Sequence, residues 1–132
     1  QESNLIEKII TLIQEGNIAL INSNSAKGKL KNRGIDARKL IVTGGPIKPE
    51  DYRVVNPNIP ESALKGIQKK CDRILDEIRS EDWTNKDLLF LYEEENITDQ
   101  LILKRIKELN DVIGKEVKVI KFSNWDIFDE IE

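Results

Sequence analysis

Histidine and methionine are absent from this chain, and cysteine occurs once. Without histidine there is no Ser-His-Asp triad, no Cys-His nucleophile and no ordinary zinc ligand set, which excludes several large enzyme classes. The single thiol, Cys71, cannot form a disulfide within the chain. No apolar run approaches the ~18 residues that argue for a membrane helix. The opening Gln1-Glu2-Ser3-Asn4 lacks the basic-then-apolar order of a signal peptide. No membrane association is expected, and the expected location is cytoplasmic. Because the chain begins with glutamine and has no methionine, it is expected to be a fragment or processed part of a larger protein.

What is present fits one globular domain. The chain has 132 residues, 39% hydrophobic and 34% charged, with a formal net charge of −3. That balance suits neither a disordered acidic tail nor a uniformly basic nucleic-acid binder. Ile6, Ile9, Ile10 and Ile13 recur at helical spacing, with Gly16 placed to end a first helix over residues 5 to 15. The short apolar runs Asn17 to Ile21 and Lys39 to Thr43, each bounded by polar or glycine-rich turns, suit strands buried on both faces. A weak helix lies between them, from about Ser25 to Arg33. All four prolines fall between residues 46 and 60, which predicts an irregular stretch with a short extended piece at Tyr52 to Val55.

After Pro60 the stripe Leu64, Ile67, Cys71, Ile74, Leu75 and Ile78 marks the clearest helix of the chain, over residues 61 to 80. Asp87 to Tyr92 reads as a central strand, Ile102, Ile106, Leu109 and Ile113 as the face of a helix over 98 to 113, and Val117 to Phe122 as a strand nearer an edge because Lys118 and Lys121 interrupt it. Strands alternating with helices imply crossover connections. The predicted fold class is therefore α/β, a three-layer sandwich of Rossmann-like type, with a mostly parallel sheet of four strands and helices on both faces.

In such a sheet ligands gather outside the carboxyl ends of the strands. Those ends deliver Asn22-Ser23-Asn24-Ser25, Thr43-Gly44-Gly45-Pro46, Glu93-Glu94-Glu95-Asn96 and Ser123-Asn124-Trp125-Asp126. The candidate ligand-binding residues are Ser23, Asn24, Ser25, Lys29, Thr43, Gly44, Gly45 and Glu93. The first four could wrap a small anion with hydroxyls, an amide and a lysine, although a polar turn and helix cap accounts for them equally well. Set against G-x-x-x-x-G-K-[ST], Gly28 and Lys29 match, but Ser23 and Leu30 stand where glycine and a hydroxyl belong, which tells against a phosphate loop. The glycines also serve a plain turn. Glu93 to Glu95 suits the acidic start of a helix better than a metal site, and no metal or cofactor is assigned. Cys71 falls on an apolar stripe and reads as a core residue.

Charge is unevenly placed. Residues 27 to 39 hold Lys27, Lys29, Lys31, Arg33, Arg38 and Lys39 against Asp36 alone, whereas residues 124 to 132 carry four acids and no base. The basic stretch has no aromatic residues for base stacking, so nucleic acid is not the expected partner. In the tail Trp125, Phe128 and Ile131 recur at spacing three, which suits either packing onto the domain or docking on a protein partner. Three functions compete. The leading one is a ligand-binding or regulatory domain for a small anion or nucleotide at the strand ends. The alternatives are a protein-interaction module and an enzyme acting on a phosphorylated or carboxylate substrate, the latter weakened by the missing histidine.

Overall fold

The computed structural model describes residues 2–94 and 98–129. Its helices are α1 (Glu2–Gln14), α2 (Asn24–Lys31), α3 (Pro49–Val55), α4 (Glu61–Arg79) and α5 (Asp99–Ile113), and its strands are β1 (Ile18–Ile21), β2 (Leu40–Val42), β3 (Leu88–Glu93) and β4 (Lys118–Phe122). Short 3-10 turns cover Ala37–Lys39 and Trp125–Asp129. All strand pairs are parallel, in the order β2-β1-β3-β4. Leu20 pairs with Ile41, Ala19 with Leu89, and Leu91 with Ile120. The expected three-layer α/β fold is what the chain adopts.

Strand pleating divides the core in two. Ala19, Ile21, Leu40, Leu89, Leu91, Ile120 and Phe122 face α1, α2 and the C-terminal turn, where Ile6, Ile9, Ile13, Ala26 and Leu30 meet them. Ile18, Leu20, Ile41, Leu88 and Phe90 face α4 and α5, against Ile74, Leu75, Ile78, Ile102 and Leu109. The inner strands β1 and β3 are apolar on both faces, as a sheet covered by helices on each side requires. β4 is an edge, and Lys118, Val119 and Lys121 remain exposed on it.

The segment between Pro46 and Pro60 is not the expected irregular stretch. Tyr52 to Val55 is helical, the C-terminal half of α3. Lys48 is extended, as a residue before proline prefers, and Pro49 occupies the first turn, where its missing N–H costs nothing. Glu50 and Asp51 lie in the same turn and favour the positive end of the helix dipole. These signals outweigh the β-branched pair Val54-Val55, which is left facing solvent.

The tail packs on its own domain. Trp125, Ile127 and Phe128 are buried among the α1–α2 side of the core. Phe122 stacks edge-on to Trp125 with centroids 4.6 Å apart and to Phe128 at 5.9 Å. Arg33 Nε donates to Phe128 O at 2.8 Å, and Lys29 pairs with Asp126 at 3.4 Å and with Asp129. The basic stretch and the acidic tail are thus partly each other's counterions. Ile131 lies outside the described residues, as do Glu95 and Asn96.

Candidate functional site

A crevice of about 230 Å³ opens at the carboxyl ends of β1, β2 and β3. It sits where the chain order reverses direction across the sheet, since β1 is followed by β2 on one side and flanked by β3 on the other. β1 contributes Leu20 and Asn22, the β2 turn contributes Thr43 to Pro46, and β3 contributes Phe90, Tyr92 and Glu93. Val55 at the end of α3, with Leu101 and Arg105 on α5, completes the wall. The crevice therefore belongs to the α3–α5 side of the sheet.

Thr43 fixes the central turn. Its backbone N–H donates to Ile21 O at 2.9 Å and its hydroxyl to the same oxygen at 3.3 Å, while Gly45 N–H donates back to Thr43 Oγ1 at 3.4 Å. Gly44 (φ +67°) and Gly45 (φ +149°) follow in conformations that disfavour a side chain. Space is short as well. A Cβ at Gly44 would stand 2.6 Å from Lys70 Nζ, and one at Gly45 2.8 Å from the Tyr52 hydroxyl. Lys70 reaches over from α4 to donate to Gly44 O at 3.3 Å. The glycines thus serve a turn and bring bare backbone to the crevice wall.

Of the expected ligand-binding residues, Thr43, Gly44, Gly45 and Glu93 line this crevice. Ser23, Asn24, Ser25 and Lys29 do not. The loop after β1 leads to α2 on the opposite face, where Ser23 Oγ caps the helix by accepting from Ala26 N–H at 3.1 Å. Asn24 and Ser25 are exposed in its first turn. Lys29 is occupied by Asp129 and Asp126, whose hydrogen bonds and charges hold its ammonium above the ordinary lysine range despite some desolvation. Asn22 Oδ1 accepts from Trp125 Nε1 at 3.0 Å, and Glu93 Oε2 from Trp125 N–H at 3.2 Å, so the tail props the crevice from behind.

Arg105 is the residue that sequence reading missed. It falls beside the apolar stripe of α5 and so reads as part of a solvated face. The signal was its spacing of four from Leu101 in the half of α5 nearest the end of β3, which puts both on one face of the helix. Burial lowers its guanidinium pKa, partly countered by Asp51, Glu108 and Tyr52. Among the described residues none makes a hydrogen bond or ion pair with it.

Behind Arg105 lies a buried acid pair. Asp51 is 2% exposed and Glu108 6%. Burial, then a hydrogen bond with Asp51 and its charge, pushes the Glu108 carboxyl up to about 7. Lys104 pairs with Asp51. Glu108 Oε1 and the Tyr52 hydroxyl are buried without a hydrogen-bond partner among the described residues. Cys71 is buried with Sγ 3.8 Å from Pro46 O, and burial raises its thiol pKa, which fits a core residue rather than a nucleophile.

Among the described residues, no group of three Cys, Asp or Glu side chains converges as a metal site, and no helix is long and apolar enough to cross a membrane. A family model described as SepCysE-like matches residues 2–123, and the chain belongs to that family. Neither a curated protein nor a solved structure matches it.

Proposed function

We propose that the chain is a ligand-binding α/β domain that takes a compact anion in the crevice outside the carboxyl ends of β1, β2 and β3. The observation that supports this reading best is the meeting of Arg105, without a bonded partner among the described residues, with the backbone of Gly44 and Gly45 in a concave, mostly apolar site at the reversal of strand order. An anion there would receive charge-assisted hydrogen bonds in a partly desolvated setting. At about 230 Å³ the crevice is below the ~300–1,000 Å³ that pockets for drug-sized ligands occupy. A nucleotide is therefore a poorer fit than a small acid.

The test is a titration of the labelled protein with acetate, benzoate, inorganic phosphate and a nucleoside monophosphate, followed by backbone amide shifts. The reading expects saturable shifts at Gly44, Gly45, Tyr92, Glu93 and Arg105. Shifts confined to Ser23 to Lys29, or no saturable shift at millimolar concentrations of any of the four, would overturn it.

A second reading, a protein-interaction module, is favoured by Val54, Val55 and Leu103, which are 59%, 62% and 67% exposed. These belong to α3 and α5, the helices that wall the crevice. Docking through Trp125 and Phe128 is less favoured, because both are spent in the domain's own core.

A further inference from the structure

The binding reading leaves the class of anion open, and the crevice's own chemistry narrows it. We infer that the ligand is a monocarboxylate with a compact apolar body, its carboxylate held by Arg105 and its body lying against Leu20, Phe90, Tyr92 and Leu101. The inference rests on the crevice being a ligand site at all, and goes beyond that reading by naming what fills it.

Three observations carry it. Among the described residues, the charged ones lining the crevice are Arg105 and Glu93, one of each sign. A single negative charge can pair with the guanidinium, whereas a phosphate near −2 would bring a second charge that no other arginine or lysine lining the crevice among the described residues meets, and the Glu93 carboxylate is turned back to accept from Trp125 N–H. An unpaired charge in a partly buried site costs affinity, and this acts as discrimination against the more highly charged ligand. Second, arginine is planar and presents two parallel N–H donors, which match a carboxylate without further cations. Inorganic phosphate could use the same fork, but its remaining oxygens would need further donors, while Gly45 N–H is already given to Thr43 Oγ1 and the Leu20, Phe90 and Leu101 walls offer none.

Third, the walls are largely hydrocarbon. Leu20, Val55, Phe90 and Leu101 contribute no polar side-chain atom, and Phe90 and Tyr92 stand with ring centroids 5.3 Å apart. A ligand that was all charge, such as acetate or phosphate, would leave this surface wet and gain little from it. An acid with a branched aliphatic or single-ring body would cover it within the available volume. Arg105 is not simply the counterion of the acid pair behind it. Asp51 is already paired with Lys104, and neither Asp51 nor Glu108 makes a hydrogen bond or ion pair with Arg105.

Calorimetric titration of the intact chain with benzoate, 3-methylbutanoate, acetate and inorganic phosphate tests the assignment. Benzoate or 3-methylbutanoate should bind on the order of tenfold more tightly than acetate and phosphate. Arg105→Gln should weaken the favoured acid by at least tens of fold, the lower end of the loss on truncating one partner of a desolvated charge pair. Arg105→Lys keeps the charge and should recover only part of the loss, since the ammonium has no planar fork. Thermal unfolding of each variant shows that it is folded, and Leu101→Trp, which fills the apolar wall without touching a charge, should lower affinity for benzoate and leave acetate unchanged. Phosphate binding more tightly than both apolar acids would overturn the inference while leaving the strand-end crevice a ligand site. Binding by none of the four would overturn both.

Discussion

The two faces of the sheet handle charge in opposite ways. On the α1–α2 face, Lys29 and Arg33 reach the acidic tail, Trp125, Ile127 and Phe128 fill the core, and Ser23 caps its helix. On the α3–α5 face, among the described residues, Arg105 has no bonded partner, two buried polar atoms lack donors or acceptors, and three large apolar side chains face solvent. Among the described residues, the first face pairs its conspicuous charges, whereas the second leaves Arg105, the Tyr52 hydroxyl and Glu108 Oε1 without a bonded partner. Conspicuous charge in a sequence can mark a region that has found its partner, while a binding face can be built from residues unremarkable in the sequence.

That contrast can be broken most sharply at the tail. Trp125→Ala and Phe128→Ala should each lower stability by about 3–5 kcal/mol, the usual cost of deleting a buried aromatic side chain, measured from the urea midpoint of the monomer. A midpoint close to wild type would mean that the tail is not part of this core and that its aromatic face belongs to a partner.

The next effect is pH-dependent and belongs to the other face. Glu108 is lifted from 4.5 to about 7 in the folded chain, mainly by burial and then by Asp51. The folded state therefore holds a proton that the unfolded state releases, so this group's contribution is fully present below about pH 4.5 and is lost as pH rises through about 7. At 1.36 kcal/mol for each unit, the loss is on the order of 3 kcal/mol. Glu108→Gln resembles the protonated acid and can still donate to Asp51. It should abolish that slope and make the variant the more stable form at pH 8, as read by denaturant midpoints between pH 4 and 8. Equal slopes in wild type and variant would contradict a raised Glu108 carboxyl in the folded chain.

Smaller effects separate turn geometry from surface charge. Gly45→Ala should cost roughly 1–3 kcal/mol, because its φ of +149° strains an L-residue and the new methyl meets the Tyr52 hydroxyl. The same variant should weaken any ligand held at the crevice. Lys29→Gln should shift the unfolding midpoint least, and the shift should shrink in salt, since Asp126 and Asp129 are themselves exposed. A large, salt-insensitive effect at Lys29 would blur the distinction between the two faces.

Most of the fold was legible because burial on both sides of a parallel strand leaves short apolar runs, and Asn17 to Ile21, Lys39 to Thr43 and Asp87 to Tyr92 contain β1, β2 and most of β3. α3 was hidden because four prolines and Val54-Val55 suggest irregular or extended chain, while the features that stabilise it occupy only one turn, Lys48 to Asp51. For the site, Thr43, Gly44, Gly45 and Glu93 could be found because parallel strands send their carboxyl ends to one edge. Ser23, Asn24, Ser25 and Lys29 were grouped with them by the same rule, but α2 leaves toward the other face. The partner of Lys29 stands 100 residues away, a pairing that no local spacing reveals. Arg105 became recognisable only once α5 was set against the end of β3.

The central claim, that the unsatisfied face is the binding face, is tested most directly by repeating the anion titration on two variants side by side and following backbone amide shifts. The account predicts that Lys29→Gln binds benzoate with the wild-type affinity and shift pattern, and that Arg105→Gln loses the saturable shifts at Gly44, Gly45 and Glu93. Binding that survives Arg105→Gln and disappears with Lys29→Gln would contradict it and return the site to the start of α2.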